Sequence, residues 1–438
     1  MSVGAMQVST RTRTQTARQK VARAAEPAPV GGLPDRAGVD GLRAFAVAAV
    51  VIAHAGSDWI VGAFAGIEML FVISGFLITS LLLAEHRVRG RISLTRFWGR
   101  RARRALPGLL TMIGGVSVFV LAARPDELHR LGPQVRAGLA GLSNWQLIVE
   151  AGARTPEAIS PSLLQHLWSL AVGAQFILWW PVVVVLLLVR VGRSRLRAFA
   201  WVLALGSAVA MGVLSLTAAP LRVVYGTDTR AAGLLIGAGL ALAFPPAAWA
   251  ARAGGARARR LRFLGLLALA ALIAAMVTLP WTDWILRGGL FPVAVLTAIL
   301  IAVTQRSDEF DRLLGALPLR WLGLRSYGVY LWHWPVLLAI GGPTAVARPE
   351  MSAAYIVVTI LLADLTYRFV EMPLCGLRYV RESGRVGRPN LAVKAMAVAC
   401  GAATVAALLT GQTDPAGTRA PDGDGRGPRA AHMQPAEP

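Results

Sequence analysis

Arg43 and His54, both in the first apolar stretch of the chain, have the residue types and the spacing of a reaction site inside a membrane. They are eleven positions apart, which at about 100° per residue comes within about 20° of three full helical turns. Both side chains therefore share one helix face, about 16 Å apart along the axis. A permanently charged guanidinium suits a phosphate or a carboxylate, and an imidazole suits proton abstraction from a hydroxyl or attack on a thioester. The alternative is an arginine anchored to lipid headgroups and a histidine that is hydrogen-bonded to a neighbouring helix.

Other polar side chains lie within or beside apolar stretches, where an ionisable group is costly and is therefore a candidate for function. They are Asp40, Glu68, Ser74, His166, Asp228, Arg230 and His333. Structural interpretations are also open. Ser74 and Gly75 are typical of close helix packing. Asp228 and Arg230 can pair with each other, and His333 lies between two tryptophans, as in an interfacial aromatic belt.

Membrane helices must position these residues, because the composition is that of a polytopic membrane protein. Of 438 residues, 55% are hydrophobic and only 16% are charged, against about 25% charged in a soluble domain. A spanning helix needs about 20 mostly apolar residues. The sequence therefore predicts an all-α transmembrane bundle of about ten or eleven spans. The apolar stretches lie at about 41–61, 63–84, 106–123, 167–189, 198–218, 231–249, 261–280, 285–304, 326–342, 352–371 and 391–411.

The net charge of +22 is carried almost wholly by arginines, which concentrate in alternate gaps between the apolar stretches. This alternation follows the positive-inside rule with the N-terminus in the cytoplasm. In a soluble protein such a charge would suggest nucleic acid, but here we interpret it as helix orientation and contact with anionic lipid. We therefore expect no nucleic-acid partner. Cys375 and Cys400 form no metal-ligand pattern, and no metal site is predicted.

Polar segments flank and interrupt the predicted bundle. Residues 1–38 are predicted to be a disordered cytoplasmic tail, with no apolar core of a signal peptide. Residues 412–438 are rich in Gly, Pro, Asp and Arg and are also predicted to be disordered. The segment 124–166 is a long outer connection. Its moderately apolar part, Leu139–Val149, is predicted to form an interfacial or re-entrant helix.

A series of sequence blocks, taken in order, has the pattern of one family. The blocks are Asp40-Gly41-Leu42-Arg43-Ala44 followed by His54, Phe71–Thr79, the arginine-rich Phe97–Pro107, Ser143-Asn144-Trp145, His166–Leu170, Thr227–Arg230, Ser326–Pro335 and Tyr367–Leu374. They resemble the acyltransferase-3 family of bacterial membrane proteins, which acylate envelope glycans and related hydroxyl acceptors. The resemblance predicts an acyltransferase-3 membrane domain at 39–376, followed by an additional transmembrane helix at 391–411.

The resemblance implies a multi-pass O-acyltransferase of the bacterial cytoplasmic membrane. It would transfer an acyl group, expected to be acetyl, from a cytoplasmic acyl-CoA to a hydroxyl of an envelope glycan, a lipid-linked sugar or a related acceptor. No bound cofactor is expected, and the expected partners are the acyl-CoA, the acceptor and membrane lipids.

In the family the arginine and histidine of the first helix are regarded as essential, which implies catalytic roles for Arg43 and His54, with Glu68 beside them. His54 would act as a general base or carry the acyl group transiently. The implied substrate-binding residues are Asp40, Ser74, Arg100, Arg103, His166, Trp168, Gln175, Asp228, Arg230 and His333. Positive-inside topology alone is an alternative explanation for Arg100 and Arg103.

Three acidic positions of the family pattern are neutral in this chain. The family usually has two glutamates where this sequence has Gly173 and Ala174, and an aspartate where it has Ala232. Glu68 stands where the family usually has aspartate. The alternative hypotheses are therefore a non-catalytic member that binds a glycolipid or a partner, and an exporter of a small molecule or acyl group.

Overall fold

The structure, a computed structural model, describes residues 37–56, 63–153, 161–244, 255–278 and 285–374. Every regular element in these ranges is a helix, and no strand occurs in them. Seven of the described helices are long and apolar enough to cross a membrane. The prediction of an all-α polytopic membrane bundle is therefore confirmed.

The helices follow one another through short connections. The first three are α1 (Ala37–His54), α2 (Ala63–Arg89) and α3 (Leu94–Ala123). A short 3-10 turn, Pro125–Glu127, leads to α4 (Leu128–Ala140), α5 (Ser143–Ala153), α6 (Leu167–Leu214), α7 (Pro220–Tyr225) and α8 (Thr227–Ala243). Next come α9 (Gly255–Thr278), a π turn (Ile285–Gly289), α10 (Leu290–Arg306), α11 (Asp308–Leu314) and α12 (Leu317–Ala339). The last are α13 (Pro343–Val346), α14 (Pro349–Thr366), a π turn (Tyr367–Glu371) and α15 (Met372–Leu374).

Each of the ten apolar stretches predicted between residues 41 and 371 overlaps one of these helices within the described residues. The stretches 167–189 and 198–218 are the two halves of α6, which bends at Gly192. That residue has φ 76° and ψ 170°, a conformation that glycine adopts without the clash of a side chain. Ala37 and Gly38, predicted to end the N-terminal tail, instead begin α1. The rest of that tail, the predicted helix at 391–411 and the tail 412–438 lie outside the described residues.

The outer connection is more helical than the sequence predicted. Leu139–Val149, predicted as one helix, is divided between the end of α4 and most of α5. Gly141 ends α4 in the left-handed region with φ 68°, where a side chain would be strained. The chain therefore turns between two short helices instead of continuing as a single one.

Close approach of backbones holds the helices around the candidate site. α1 packs against α2 and α12, and α2 packs against α8. A Cβ atom on Gly75 of α2 would overlap the carbonyl of Leu234 in α8, and one on Gly237 would overlap the carbonyl of Val72. Small residues at such crossings allow the contact between backbones that stabilises helix pairs in membranes. The packing interpretation of Gly75 is thus correct.

Candidate active site

His54 lies in the last turn of α1, where its ring contacts two aromatic side chains of α12. The ring centroids of His54 and His333 are 5.5 Å apart, and those of His54 and Trp334 are 5.4 Å apart. The Nδ1 of His54 lies 2.7 Å from the carbonyl oxygen of Val50, one turn back along α1. A carbonyl only accepts hydrogen bonds, so Nδ1 carries the proton, and Nε2 of the neutral ring has a free lone pair.

Two further histidines complete a buried cluster with His54. The rings of His333 and His166 are 5.4 Å apart, and the ring of Tyr330 packs against both. His333 donates from Nδ1 to the Tyr330 carbonyl. The Tyr330 hydroxyl donates to the carbonyl of His166 and lies 2.6 Å from the Ser169 hydroxyl. The start of α6 is thereby joined to the middle of α12.

The sequence predicted the three histidines as separate candidates, and the structure brings them together. Three other members of the cluster were missed: Tyr330, Ser169 and Trp334. Each lies in a sequence block that contains a predicted residue, but a neutral hydroxyl or indole in a membrane helix is common and did not distinguish them. In the part of the chain that the structure describes, no group of histidine, cysteine and acidic residues could hold a metal ion.

Arg230 and Glu68 form a fully buried ion pair beside the histidine cluster. Their closest charged atoms are 3.5 Å apart, and the two side chains are 1% and 3% exposed. The guanidinium also lies over the rings of Phe71 and Trp168, 5.6 Å and 5.4 Å from their centroids. Nε and Nη2 of Arg230 have no hydrogen-bond partner among the described residues. The arginine is therefore held by one carboxylate and two aromatic faces, with unused donors.

Asp228 does not pair with Arg230, as one interpretation of the sequence suggested. Instead it accepts two hydrogen bonds from Arg222 of α7, at 2.9 Å and 2.8 Å. These hydrogen bonds lower the pKa of the Asp228 carboxyl below its usual value. Asp228 and Arg222 are partly exposed, 46% and 27%, so this pair lies at the rim of the bundle and not in the histidine cluster.

Gln175 and Ser74 are two further predicted substrate-binding residues. The Gln175 amide nitrogen donates to the Gly141 carbonyl at 2.8 Å and to Asn144 Oδ1 at 3.0 Å, and its oxygen accepts from the Thr227 hydroxyl. These bonds tie α6 to α5 and α8. Ser74 is half-buried in the middle of α2. Their substrate-binding roles stay predictions.

Arg43 belongs to a second polar group, at the opposite end of α1. Its guanidinium lies 3.5 Å from the Asp40 carboxylate, and Arg101, Arg104 and Glu371 are close enough to interact with it electrostatically. Glu371, which the sequence analysis quoted in a block but did not choose, has a buried Oε1 without a hydrogen-bond partner in the described part of the chain. The group combines fixed positive charge with two carboxylates.

Arg100 and Arg103, the two arginines predicted from the arginine-rich stretch, make other hydrogen bonds. Arg100 donates to Glu85 of α2 at 2.8 Å, and Arg103 donates to the carbonyl of Gly99 in its own helix. Arg101 and Arg104, by contrast, are close enough to Arg43 to interact with it electrostatically. The structure therefore associates Arg101 and Arg104 with Arg43, and the substrate-binding roles of Arg100 and Arg103 stay predictions.

The three positions that lack the family's acidic residues differ in their surroundings. A Cβ atom on Gly173 would meet nothing within 4 Å, and Ala174 is exposed next to Gly141. Ala232 is buried in α8, 7% exposed. Space for a side chain therefore remains at residue 173, while residue 174 faces outward.

Comparison with known proteins gives one family. A family model described as an acyltransferase domain matches residues 36–368, which contain the histidine cluster and every member of the Arg43 group except Glu371. No solved structure matches the chain.

Relatives in three bacteria have names that describe O-acetylation. The putative peptidoglycan O-acetyltransferase YrhL of Bacillus subtilis is 38% identical over 344 residues, 77% of this chain and 54% of that protein. The peptidoglycan O-acetyltransferase OatA of Listeria monocytogenes is 35% identical over 347 residues, 77% of this chain and 55% of the relative. The O-acetyltransferase OatA of Staphylococcus aureus is also 35% identical, over 77% of this chain and 57% of the relative. The chain thus matches little more than half the length of these relatives.

Proposed function

The chain belongs to the acyltransferase-3 family, and on that premise we propose that it is a membrane O-acetyltransferase. The donor is acetyl-CoA or a related acyl-CoA. The acceptor is a hydroxyl of peptidoglycan, the substrate in the names of the Bacillus and Listeria relatives. The enzyme lies in the bacterial cytoplasmic membrane with its N-terminus in the cytoplasm, an orientation that the alternation of arginine-rich gaps supports.

The observation that carries this proposal is the hydrogen bond from His54 Nδ1 to the Val50 carbonyl. It leaves Nε2 as the unprotonated, reactive nitrogen. An unprotonated imidazole nitrogen can remove a proton from an acceptor hydroxyl, or can attack the carbonyl carbon of a thioester. The contacts with His333 and Trp334 hold the ring in place.

The Arg43 group is the site for the donor in this proposal. Arg43, Arg101 and Arg104 supply fixed positive charge for the phosphates of acyl-CoA, and Asp40 and Glu371 orient these guanidinium groups. About 16 Å of helix separates Arg43 from His54. The pantetheine arm of the donor would extend along this face of α1, so that the thioester approaches the imidazole while the phosphates stay at the membrane surface.

The test is to express the His54→Ala variant in a strain from which the chromosomal copy of the gene has been deleted. If His54 is the reactive residue, O-acetyl groups on peptidoglycan fall by about 100-fold or more, the usual contribution of a general base. Mass spectrometry of enzymatically released glycan fragments measures the acetylated fraction. His129→Ala is the matched control, because that histidine is exposed on α4. Unchanged acetylation in the His54 variant would refute the mechanism.

A second candidate function is binding without catalysis, and it rests on the neutral residues Gly173, Ala174 and Ala232. The two candidates differ in one measurement, the release of CoA thiol by purified protein that is given acetyl-CoA and an acceptor. An acetyltransferase releases CoA with a dependence on His54, whereas a binding protein or an exporter releases none.

A further inference from the structure

His333 lies in the histidine cluster without a role in a reaction that uses His54 alone. Its ring is 1% exposed and lies between the rings of His54 and His166. Like His54, it has Nδ1 next to a backbone carbonyl, here that of Tyr330, so its proton is on Nδ1. Two neighbouring imidazoles therefore both carry the proton on Nδ1 and have an unprotonated Nε2 atom.

We propose that His54 carries the acyl group and that His333 is the general base for the acceptor. This inference rests on the proposed function and assigns the two steps of the reaction to two residues. The physical reason is that the lone pair of an imidazole nitrogen can form a bond to carbon or to hydrogen, but not to both at once. Once acylated at Nε2, His54 cannot deprotonate the acceptor hydroxyl, so a second base must do so.

The two steps balance as follows. In the first, Nε2 of His54 attacks the thioester carbonyl, the C–S bond breaks, and CoA leaves as a thiolate. The product is an Nε2-acyl imidazolium, since Nδ1 keeps its proton. In the second, the acceptor oxygen attacks the acyl carbon while its proton passes to Nε2 of His333. The C–N bond breaks, its electron pair returns to His54, and His333 then releases the proton to solvent.

The contacts favour His333 over His166 for this role. The ring of His333 packs directly against that of His54, whereas the ring of His166 packs against His333 and Tyr330 on the other side. Trp334 supports the arrangement, because its indole NH donates to the Ser162 carbonyl at 2.8 Å and its ring stands nearly perpendicular to that of His54. An acyl group on His54 would therefore be within reach of a base on His333.

The decisive variant is His333→Asn. The asparagine amide can still donate to the Tyr330 carbonyl, but it has no basic nitrogen at the position of Nε2. Purified full-length protein in detergent is mixed with acetyl-CoA labelled in the acetyl group, with and without chitotetraose as a soluble acceptor. Rapid quenching measures three quantities: CoA released, label bound to protein and label on the sugar. His54→Gln and, as a control at an exposed position on α4, His129→Gln are assayed in parallel.

We expect His333→Asn to retain a burst of about one CoA per protein and to keep the label bound. Its transfer to the sugar should fall by about 100-fold or more, within the range of general-base catalysis. His54→Gln should give no burst and no bound label, and His129→Gln should transfer at more than about one tenth of the wild-type rate. Transfer by His333→Asn within about threefold of wild type would overturn the inference, as would loss of burst and transfer together at unchanged thermal stability.

If His333→Asn is unstable, His333→Ala is assayed with and without imidazole in the buffer. Recovery of transfer by imidazole supports a missing base. Loss of the CoA burst together with transfer, or transfer by His333→Ala within about threefold of wild type without imidazole, counts against it. Failure of the proposed function is distinguishable, since in that case His54→Gln would behave like wild type whatever the His333 variants do.

Discussion

Replacement of Glu68 with glutamine removes the one carboxylate that faces the buried guanidinium of Arg230. The two side chains are 3% and 1% exposed and their charged atoms are 3.5 Å apart. The Gly233 amide also interacts with Glu68, and a glutamine oxygen can keep that contact. The substitution therefore changes charge with little change in shape, and it leaves Arg230 between Phe71 and Trp168.

The expected loss of stability follows from the geometry. At an effective dielectric constant of about 20, two unit charges 3.5 Å apart attract by about 5 kcal/mol. Removing one member of a buried pair typically costs about 3–5 kcal/mol, because the remaining charge has no counterion. The Nε and Nη2 donors of Arg230 have no hydrogen-bond partner in the described structure that would compensate. We therefore expect Glu68→Gln to lower the free energy of unfolding by about 3–5 kcal/mol.

The assay is reversible unfolding by SDS in mixed micelles, measured by tryptophan fluorescence. A double-mutant cycle with Arg230→Met isolates the pair, because the double variant has neither charge and should be more stable than Glu68→Gln alone. Glu309→Gln is the matched control. Its pair with Arg262 is shorter, 2.7 Å, but 57% and 46% exposed, so its loss should cost less than about 1 kcal/mol.

Two results would refute this reasoning. Glu68→Gln could be as stable as wild type to within about 1 kcal/mol, less than the smallest cost expected for an unpaired buried charge. Alternatively, the loss of unfolding free energy in the double variant could equal the sum of the losses in the two single variants. That result would mean that the charges do not interact across 3.5 Å.

Further predictions concern packing, an open position and the donor. Gly75→Ala should lower the free energy of unfolding by about 1–3 kcal/mol, because its Cβ would overlap the backbone of α8. Gly99→Ala is the control, since a Cβ there meets open space. Equal stabilities of the two variants in the same unfolding assay would contradict this prediction. Gly173→Glu should have a free energy of unfolding within about 1 kcal/mol of the wild-type value, since nothing lies within 4 Å of a Cβ there. A much larger loss would mean that the glutamate side chain clashes with a neighbour. Arg104→Gln should raise the KM for acetyl-CoA by about tenfold, because it removes about one charge-assisted hydrogen bond to the donor. Arg100→Gln should raise this KM by less than twofold, and a larger effect for Arg100→Gln than for Arg104→Gln would place the donor elsewhere.

Local features of the sequence were enough to predict the helices and to relate residues that lie on the same helix. Hydropathy depends on composition over about 20 residues. The ten apolar stretches before residue 375 therefore overlap the described helices. Arg43 and His54 lie on the same helix, where a fixed rotation per residue relates them. The break at Gly141 was missed, because helices α4 and α5 meet within a moderately apolar patch that resembles one helix.

Tertiary structure alone decided which side chains face one another. Glu68 pairs with Arg230, far along the chain, and Asp228 pairs with Arg222 in another helix, although the sequence also allowed Asp228 to pair with Arg230. Likewise, His54, His166 and His333 come from three separate segments and meet only because α1, α6 and α12 pack together. Helical periodicity specifies the face on which a residue lies, but the faces that meet depend on packing of the whole bundle, which leaves no local signal in the sequence.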